Sequence, residues 1–249
     1  MDLGIKGKVS VVTGSGMGIG KATAMALAME GSHIVVNDIN EEIGQRTKHL
    51  LSGMGVEAIY VQGDVSKEED VKKIFSTAIE KFGSIDILIN NAGISPKFPF
   101  YEITADMFDA VIDINLKSNF MCSKEAFKYM KNNNWGRIVS LSSLAGVMGG
   151  INSAAHYSAS KAAIIGLTKT LAKQVGQYGI TVNCVAPGRI KTAMTDMLSE
   201  KQKEEALKKI PLRRFGTVEE VAKVITFLAS EGGSYVTGTC VEIFGGYTG

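Results

Sequence analysis

Two residues four positions apart, Tyr157 and Lys161 in the stretch YSASK, could together move a proton. Side chains at positions i and i+4 of a helix project from the same face. A tyrosine with its ordinary pKa of about 10 is a poor acid or base at neutral pH, but a neighbouring ammonium favours the phenolate and lowers that pKa. The spacing also fits an ordinary helix surface, so other residues must support the chemistry.

Two serines, Ser142 and Ser143, close an apolar run that begins at Arg137. If that run is a strand of a parallel sheet, the serines stand at its carboxyl end, where ligands of such sheets bind. A serine hydroxyl there could hold a carbonyl or alcohol oxygen in line with a tyrosine. The residue types therefore predict acid–base chemistry on the oxygen of an alcohol or a ketone.

A glycine-rich stretch, Thr13–Gly20 (TGSGMGIG), opens directly into a segment of helical period. Small residues let the backbone pass close to a pyrophosphate, whose charge is stabilised by the free N–H groups of the following helix. The stretch is not GxGxxG, which would need glycine at Ile19, nor a P-loop, which would need glycine at Ser15. A turn with spare glycines is the alternative reading.

Asp38 ends the second apolar run, about 20 residues beyond the glycine stretch, where dinucleotide-binding proteins place a carboxylate on the adenosine ribose. A carboxylate there would also repel a 2′-phosphate. No Arg or Lys stands in the glycine stretch or directly after Asp38, so NAD is predicted in preference to NADP. The alternative is that Asp38 caps the next helix, a role that Asn40 could fill instead.

Apolar, β-branched runs alternate with longer segments of helical period. Strands that are apolar throughout indicate a parallel sheet covered on both faces. The alternation predicts one doubly wound α/β domain over residues 1–249, with a seven-stranded parallel sheet flanked by helices. The predicted strands are Lys8–Thr13, His33–Asn37, Ala58–Val61, Ile85–Ile89, Arg137–Leu141, Ile180–Val185 and Cys240–Ile243. The predicted helical segments are Ile19–Glu30, Glu41–Ser52, Lys67–Phe82, Thr104–Lys131, Ala155–Tyr178 and Val218–Ala229.

Composition excludes several classes of protein. The chain has 249 residues and a net charge of +2, which gives no support for nucleic acid as a partner. Cys122, Cys184 and Cys240 are too far apart in sequence to indicate a disulfide framework or a metal site. No secretory signal stands at Met1–Ser10, and no apolar run reaches the roughly 20 residues that span a bilayer. A cytoplasmic protein without a membrane or nucleic-acid partner is expected.

Taken together, the motifs resemble the short-chain dehydrogenase/reductase family over about Lys6 to Gly246. The matching segments are the TGxxxGxG loop Thr13–Gly20, Asp64 in GDV, the NNAG stretch Asn90–Gly93, Asn115 in INL, YxxxK at Tyr157 and Lys161, and PGxxxT at Pro187, Gly188 and Thr192. Any one of these motifs is weak, but their order and their strand, loop and helix context are specific.

The resemblance implies a Rossmann fold and a mechanism. Tyr157 would exchange a proton with the substrate oxygen while a hydride passes between the carbinol carbon and the nicotinamide. Ser143 would polarise that oxygen, and Lys161 would bind the nicotinamide ribose and lower the pKa of Tyr157. Asn115 would bind, through backbone and side chain, a water that continues a proton relay from Lys161.

The same resemblance implies an NAD site. Ile190 and Thr192 would hold the nicotinamide carboxamide. The expected cofactor-binding residues are Gly14, Ser15, Gly16, Met17, Gly18, Ile19, Gly20, Asp38, Asp64, Val65, Asn91, Ala92, Gly93, Tyr157, Lys161, Pro187, Gly188, Ile190 and Thr192.

The chain departs from the family around the serine. In the family the serine usually precedes the tyrosine by 13 positions. Leu144 occupies that position here, and leucine cannot polarise an oxygen. We therefore infer one extra residue within 144–156 and keep Ser143, with Ser142 as the alternative. His156, next to Tyr157, is expected to line the substrate pocket with Ser143 and Tyr157.

A mobile lid over the substrate is implied for residues 189–214. Its segment Lys191–Arg214 carries seven basic and four acidic residues. A positive lid could receive a phosphopantetheine or coenzyme A thioester, although a solvated amphipathic helix has the same composition.

Three functions compete. The first is an NAD-dependent oxidoreductase that interconverts a secondary alcohol and a ketone. The second is a 3-oxoacyl thioester reductase, which the stretch Pro211–Gly216 (PLRRFG) resembles, although those enzymes mostly use NADPH and carry a basic residue where Met17 stands. The third is a nucleotide-binding scaffold without catalysis. The family also implies a homotetramer built by the segments Thr104–Lys131 and Ala155–Tyr178 and by the last strand.

Overall fold

The structure is a computed structural model that describes residues 2–150, 153–191 and 199–247. All of its strands pair in parallel, and β-branched residues fill most of them. They are β1 (Val9–Val12), β2 (His33–Asp38), β3 (Ala58–Gln62), β4 (Ile87–Asn90), β5 (Gly136–Leu141), β6 (Ile180–Pro187) and β7 (Cys240–Ile243). They form one seven-stranded sheet in the order β3-β2-β1-β4-β5-β6-β7, so the predicted fold class is confirmed.

Helices connect the strands and cover both faces of the sheet. Those in the described residues are α1 (Gly18–Met29), α2 (Glu41–Ser52), α3 (Glu68–Phe82), α4 (Ala105–Ile112), α5 (Ser118–Asn133), α6 (Leu144–Met148), α7 (Ala155–Val175), α8 (Glu200–Lys208) and α9 (Val218–Leu228). The chain therefore alternates strand and helix as the apolar pattern predicted, and strand boundaries agree to within two residues.

The two sides of the sheet carry separate apolar cores, because successive side chains of a strand point to opposite faces. Val12 packs with Leu27 of α1 and Ile225 of α9 on one side. Its neighbour Val11 packs with Phe75 of α3 on the other side. All five side chains are fully buried, and burial of each is worth about 1.5–3 kcal/mol. The parallel sheet thus has no solvent-facing side, as its continuous apolar strands required.

The predicted helical segment Thr104–Lys131 differs from the structure in its middle. A π-helical turn, Asp113–Lys117, separates α4 from α5. Such turns insert a residue into the helical register and are frequent at functional sites. Apolar periodicity cannot reveal them, because the pattern on either side continues. The turn holds Asn115, which the family resemblance places in the active site.

The site is positioned by the switch in strand order. The chain moves from β1 outward to β3 and then returns to β4 on the other side of β1. The loops after β1 and β4 therefore diverge and leave a crevice at the carboxyl edge, the usual ligand position of such sheets. The glycine stretch follows β1 and the NNAG stretch follows β4, so both border this crevice.

Two features are missing from the part of the chain that the structure describes. None of its helices combines the length and the apolar character needed to cross a bilayer. It also contains no group of three or more His, Cys, Asp or Glu side chains placed to bind a metal ion.

Candidate active site

The glycine loop is fixed by the segment that follows β4. The Thr13 hydroxyl accepts the backbone N–H groups of Asn91 at 3.0 Å and Ala92 at 3.1 Å. The Asn91 side chain donates in return to the carbonyls of Thr13 at 2.9 Å and Gly14 at 2.8 Å. Both amide hydrogens of Asn91 are thus used within the protein. Its expected contribution to cofactor binding is to hold the loop in place.

The first turn of α1 can receive an anion. Met17 precedes the helix in an extended conformation without a side-chain cap, and the first turn carries no acidic residue. Gly18 has φ +56, a left-handed value that favours glycine. A side chain at Gly20 would overlap the Asn91 amide and the Gly14 carbonyl oxygen. The glycines therefore serve both internal packing and the exposure of free N–H groups, which suit a pyrophosphate.

Asp38 lies at the end of β2 and is 8% exposed. One carboxylate oxygen accepts the Gly16 N–H at 2.9 Å and the other accepts the Asn40 N–H at 3.0 Å. Asn40 is the residue that caps α2, because its side chain accepts the Ile43 N–H. Asp38 is therefore not the helix cap, and its carboxylate stays beside the glycine loop.

A cavity of about 460 Å³ follows this loop along the crevice. Nine of the predicted cofactor residues line it: Gly14, Met17, Ile19, Asp38, Asp64, Val65, Asn91, Ala92 and Gly93. Ser15 and Gly16 lie behind them, where the Ser15 hydroxyl donates to the Val12 carbonyl at 2.8 Å. The lining includes Asp38 as well as Gly93, so the cavity reaches from the end of β2 to the segment after β4, as a dinucleotide site requires.

A second cavity continues the first, since Ile19, Asn91 and Gly93 border both. It brings together residues that come from β5, α7 and the end of β6. The predicted residues on its wall are Ser142, Ser143, Tyr157, Lys161, Pro187, Gly188 and Ile190. Thr192, the other expected carboxamide contact, lies outside the described residues.

Lys161 is buried on α7 beside the end of β5. Its Nζ donates to the Leu141 carbonyl at 2.7 Å and lies 5.8 Å from the centre of the Tyr157 ring. Burial lowers the pKa of Lys161 to about 8, because a charged amine is disfavoured away from water. The lysine therefore still carries its charge at neutral pH and loses it in the mildly alkaline range.

Tyr157 differs from the electrostatic expectation. Burial raises its pKa, and the neighbouring Ser143 hydroxyl opposes that effect only in part. Lys161 does not lower it as expected, because the pKa of Lys161 is about 8 and its amine has lost its charge at the higher pH where Tyr157 would ionise. The phenol is consequently neutral at pH 7, which suits a proton donor to a ketone oxygen.

The two candidate serines point in different directions. The Ser142 hydroxyl is buried and donates to the Lys161 carbonyl at 2.7 Å. Ser143 begins α6, where its Oγ accepts the Ala145 N–H at 3.2 Å, and it contacts Tyr157. Only Ser143 of this pair also lines a further cavity that Tyr157 shares with Leu144 and Met148 of α6. The geometry thus favours Ser143 as the partner of Tyr157.

Asn115 is buried at the π-helical turn and ties three segments together. Its amide donates to the Ile94 carbonyl and to the Ser160 hydroxyl, each at 3.0 Å, and its oxygen accepts the Ile94 N–H at 2.8 Å. Both amide hydrogens are therefore occupied. A water on the expected proton relay could therefore hydrogen-bond to Asn115 only through its side-chain oxygen and its backbone. Ser160, whose hydroxyl also donates to the Tyr157 carbonyl, was not predicted, although it directly precedes Lys161.

His156 is the predicted substrate residue that the structure places elsewhere. Its side chain is fully buried, and Nδ1 accepts the Tyr157 N–H at 3.1 Å. His156 is not among the residues that line either cavity beside Tyr157. Adjacent helical side chains point about 100° apart, so the ring turns inward when Tyr157 faces the cleft. The structure therefore does not place His156 on the wall of the substrate pocket, and it gives no support to the expected contact with a substrate.

Known proteins are similar to this chain over nearly its whole length. A family profile described as enoyl-(acyl carrier protein) reductase matches residues 14–248. The 3-oxoacyl-[acyl-carrier-protein] reductase FabG of Thermotoga maritima is 42% identical over 243 residues, which are 97% of this chain and 98% of the relative. The protein of the same name from Rickettsia felis is 43% identical over 242 residues, which cover 97% of each chain.

A solved structure has the same fold. It is the crystal structure of a Sinorhizobium meliloti protein described as a short-chain alcohol dehydrogenase. It superposes with a TM-score of 0.94 at 36% sequence identity and covers 99% of this chain and 98% of its own. With relatives above 40% identity along almost its full length, the chain belongs to the short-chain dehydrogenase/reductase family of oxidoreductases.

Proposed function

We propose that the protein reduces the ketone of a 3-oxoacyl thioester to a secondary alcohol with NADH, and catalyses the reverse reaction with NAD. The observation that carries this proposal is the placement of Tyr157, Ser143 and Lys161 on one wall of a crevice whose other end holds the glycine loop and Asp38. The thioester is supported by relatives that are named 3-oxoacyl-[acyl-carrier-protein] reductase. The alcohol dehydrogenase name of the structural neighbour supports simple ketones as the second candidate.

The chain's own residues would divide the chemistry as follows. When bound, the nicotinamide cofactor supplies or accepts the hydride. The neutral Tyr157 hydroxyl donates its proton to the ketone oxygen, and the Ser143 hydroxyl donates a hydrogen bond that holds this oxygen. Lys161 binds the nicotinamide ribose with its ammonium. Asn115 and Ser160 keep the Tyr157 end of α7 fixed against the segment after β4.

The preference for NADH rests on Asp38. Its buried carboxylate is held by two backbone N–H groups at the end of the cavity where the adenosine ribose would bind. Two ribose hydroxyls can donate to a carboxylate, whereas a 2′-phosphate would be repelled by it. Met17, on the same cavity wall, offers no positive charge to such a phosphate.

The test is turnover of an acetoacetyl thioester with NADH and with NADPH. We expect NADH to be preferred, and we expect Asp38→Asn to raise the NADPH to NADH ratio of kcat/KM by about tenfold or more, since tenfold corresponds to about 1.4 kcal/mol. Glu41→Gln at the exposed start of α2 is the matched control and should leave the ratio unchanged. A wild type that prefers NADPH would refute the cofactor assignment, and turnover of simple ketones alone would refute the thioester. The expected homotetramer and cytoplasmic location stay predictions.

A further inference from the structure

A third cavity borders Tyr157 and opens on the substrate side of the crevice. It measures about 550 Å³ and shares Ser143, Tyr157 and Gly188 with the cavity on the nicotinamide side. Its apolar lining comes from α6, where Leu144 and Met148 face it. A substrate whose ketone lies at Tyr157 would therefore extend into this space.

The far end of this cavity is basic. Lys97, Arg189 and Lys209 line it together with the ring of Tyr247. The same four residues also line an outer cavity of about 460 Å³, in which the acidic contribution is Glu205. Three positive charges thus stand between the reacting end and the outer space. They come from the loop after β4, the end of β6 and the end of α8.

Backbone hydrogen bonds hold the main chain at two of these three residues, Arg189 and Lys209. The Arg189 carbonyl accepts the Gly216 N–H at 3.1 Å, in the bridge that joins Ile190 to Gly216. Lys209 ends α8, where its N–H donates to the Ala206 carbonyl. A cation at a helix C-terminus is favoured by the helix dipole. Among the described residues, no carboxylate lies within 4 Å of the three cationic groups.

The geometry points to an anion-binding subsite formed by Lys97, Arg189 and Lys209, which takes a carboxylate or phosphate group of the substrate while its ketone lies at Tyr157. This inference rests on the proposed function. Arginine binds such planar anions through two hydrogen bonds, and lysine adds a point charge. The subsite would make the enzyme selective for anionic ketones over neutral ones.

Two sources carry this chemistry, and they differ in reach. The acid group of a compact oxo acid lies a few bonds from the ketone. The phosphate of a phosphopantetheine arm lies 16 bonds from the ketone of a 3-oxoacyl thioester, or roughly 20 Å at about 1.2 Å per bond of an extended chain. Charged and neutral probes of each length therefore distinguish them.

The experiment compares two matched pairs of ketones in NADH-dependent reduction. Acetoacetate is paired with methyl acetoacetate, and acetoacetyl coenzyme A is paired with its uncharged N-acetylcysteamine thioester. In the wild type, we expect the charged member of at least one pair to have the lower KM. Arg189→Gln and the double variant Lys97→Gln/Lys209→Gln should reduce the ratio of the neutral member's KM to the charged member's KM by about tenfold. This is the size expected for the loss of one charged hydrogen bond. High salt should reduce the ratio as well.

The controls separate this subsite from the proposed function. Lys201→Gln, on the exposed part of α8 outside both cavities, should keep the wild-type KM values. If the variants lower the KM ratio of the acetoacetate pair, the subsite binds a compact acid. If they lower the KM ratio of the coenzyme A pair, the subsite binds the phosphate. Equal KM values within both pairs, or variants that affect charged and neutral members equally, would overturn the subsite while turnover still supports the function. Absence of turnover with all four ketones would overturn the proposed function itself, whereas titration of acetoacetate and acetoacetyl coenzyme A by calorimetry would still report on the subsite.

Discussion

Replacing Tyr157 with phenylalanine should lower the turnover number of ketone reduction by about 10²- to 10⁴-fold, the usual contribution of a positioned proton donor. The variant lacks only the hydroxyl that faces Ser143 in the crevice. The ring, and with it the packing of the first turn of α7, stays in place. Binding of NADH, followed by its fluorescence, should therefore be retained, so that the loss falls on the chemical step.

The matched control for this change is Tyr235→Phe. Tyr235 is fully exposed and does not line either cavity beside Tyr157, so the same loss of a hydroxyl should leave the turnover number unchanged. Equal rates for Tyr157→Phe and the wild type would refute Tyr157 as the proton donor. They would also remove the main support for the oxidoreductase mechanism.

Lys161→Met should abolish most of the activity without a loss of stability at pH 7. The activity should fall by about 10²-fold or more, because the ammonium that holds the nicotinamide ribose is removed. Removing the charged lysine also removes a contribution that destabilises the folded protein. Burial lowers the pKa of Lys161 from 10.5 to about 8, and one pKa unit corresponds to about 1.4 kcal/mol. The charged lysine thus destabilises the fold by about 3 kcal/mol at neutral pH.

This penalty depends on pH in a defined direction. It is complete below pH 8, where the folded and unfolded chains both hold the proton. It disappears as the pH rises from about 8 to about 10.5, because the unfolded chain alone keeps the proton in that interval. Methionine removes the penalty, although it leaves the Leu141 carbonyl without this donor at a cost of about 1–3 kcal/mol. Urea unfolding at several pH values should show the wild type gaining stability relative to the variant as the pH increases.

Lys169→Met is the control on the same helix, since Lys169 is exposed. It should keep the activity of the wild type and should show little dependence of the stability difference on pH. A Lys161→Met variant that retains full activity would contradict the assigned role of Lys161. A variant that is strongly destabilised at pH 7 would contradict the buried, charged state of the lysine.

Features that are local in sequence could be predicted. The spacing of Tyr157 and Lys161 requires only a helix, and the glycine stretch requires only a strand followed by a helix. Continuous apolar runs were sufficient to predict a parallel sheet with two covered faces. The strand order then places these motifs at one edge, so the crevice follows from the fold class.

Features that depend on burial or on distant segments required the structure. The direction of the Tyr157 pKa shift could not be predicted, because spacing suggested the influence of Lys161 and gave no measure of burial. His156 shows the same limit, since adjacency in sequence does not determine which way a side chain faces. The π-helical turn at Asn115 leaves no trace in the apolar pattern. The cations Lys97, Arg189 and Lys209 lie far apart along the chain and meet only through the topology.

The most direct test of hydride transfer in this crevice uses NADH that carries deuterium at the transferable C4 position. The enzyme, the labelled cofactor and an acetoacetyl thioester are incubated, and the product alcohol is examined by mass spectrometry and proton NMR. We expect one deuterium on the carbinol carbon of each product molecule, and we expect Tyr157→Phe to form this labelled product about 10²- to 10⁴-fold more slowly. Binding of NADH without transfer of deuterium to this thioester or to any ketone of a broad panel would contradict it, and would favour a nucleotide-binding protein without catalysis.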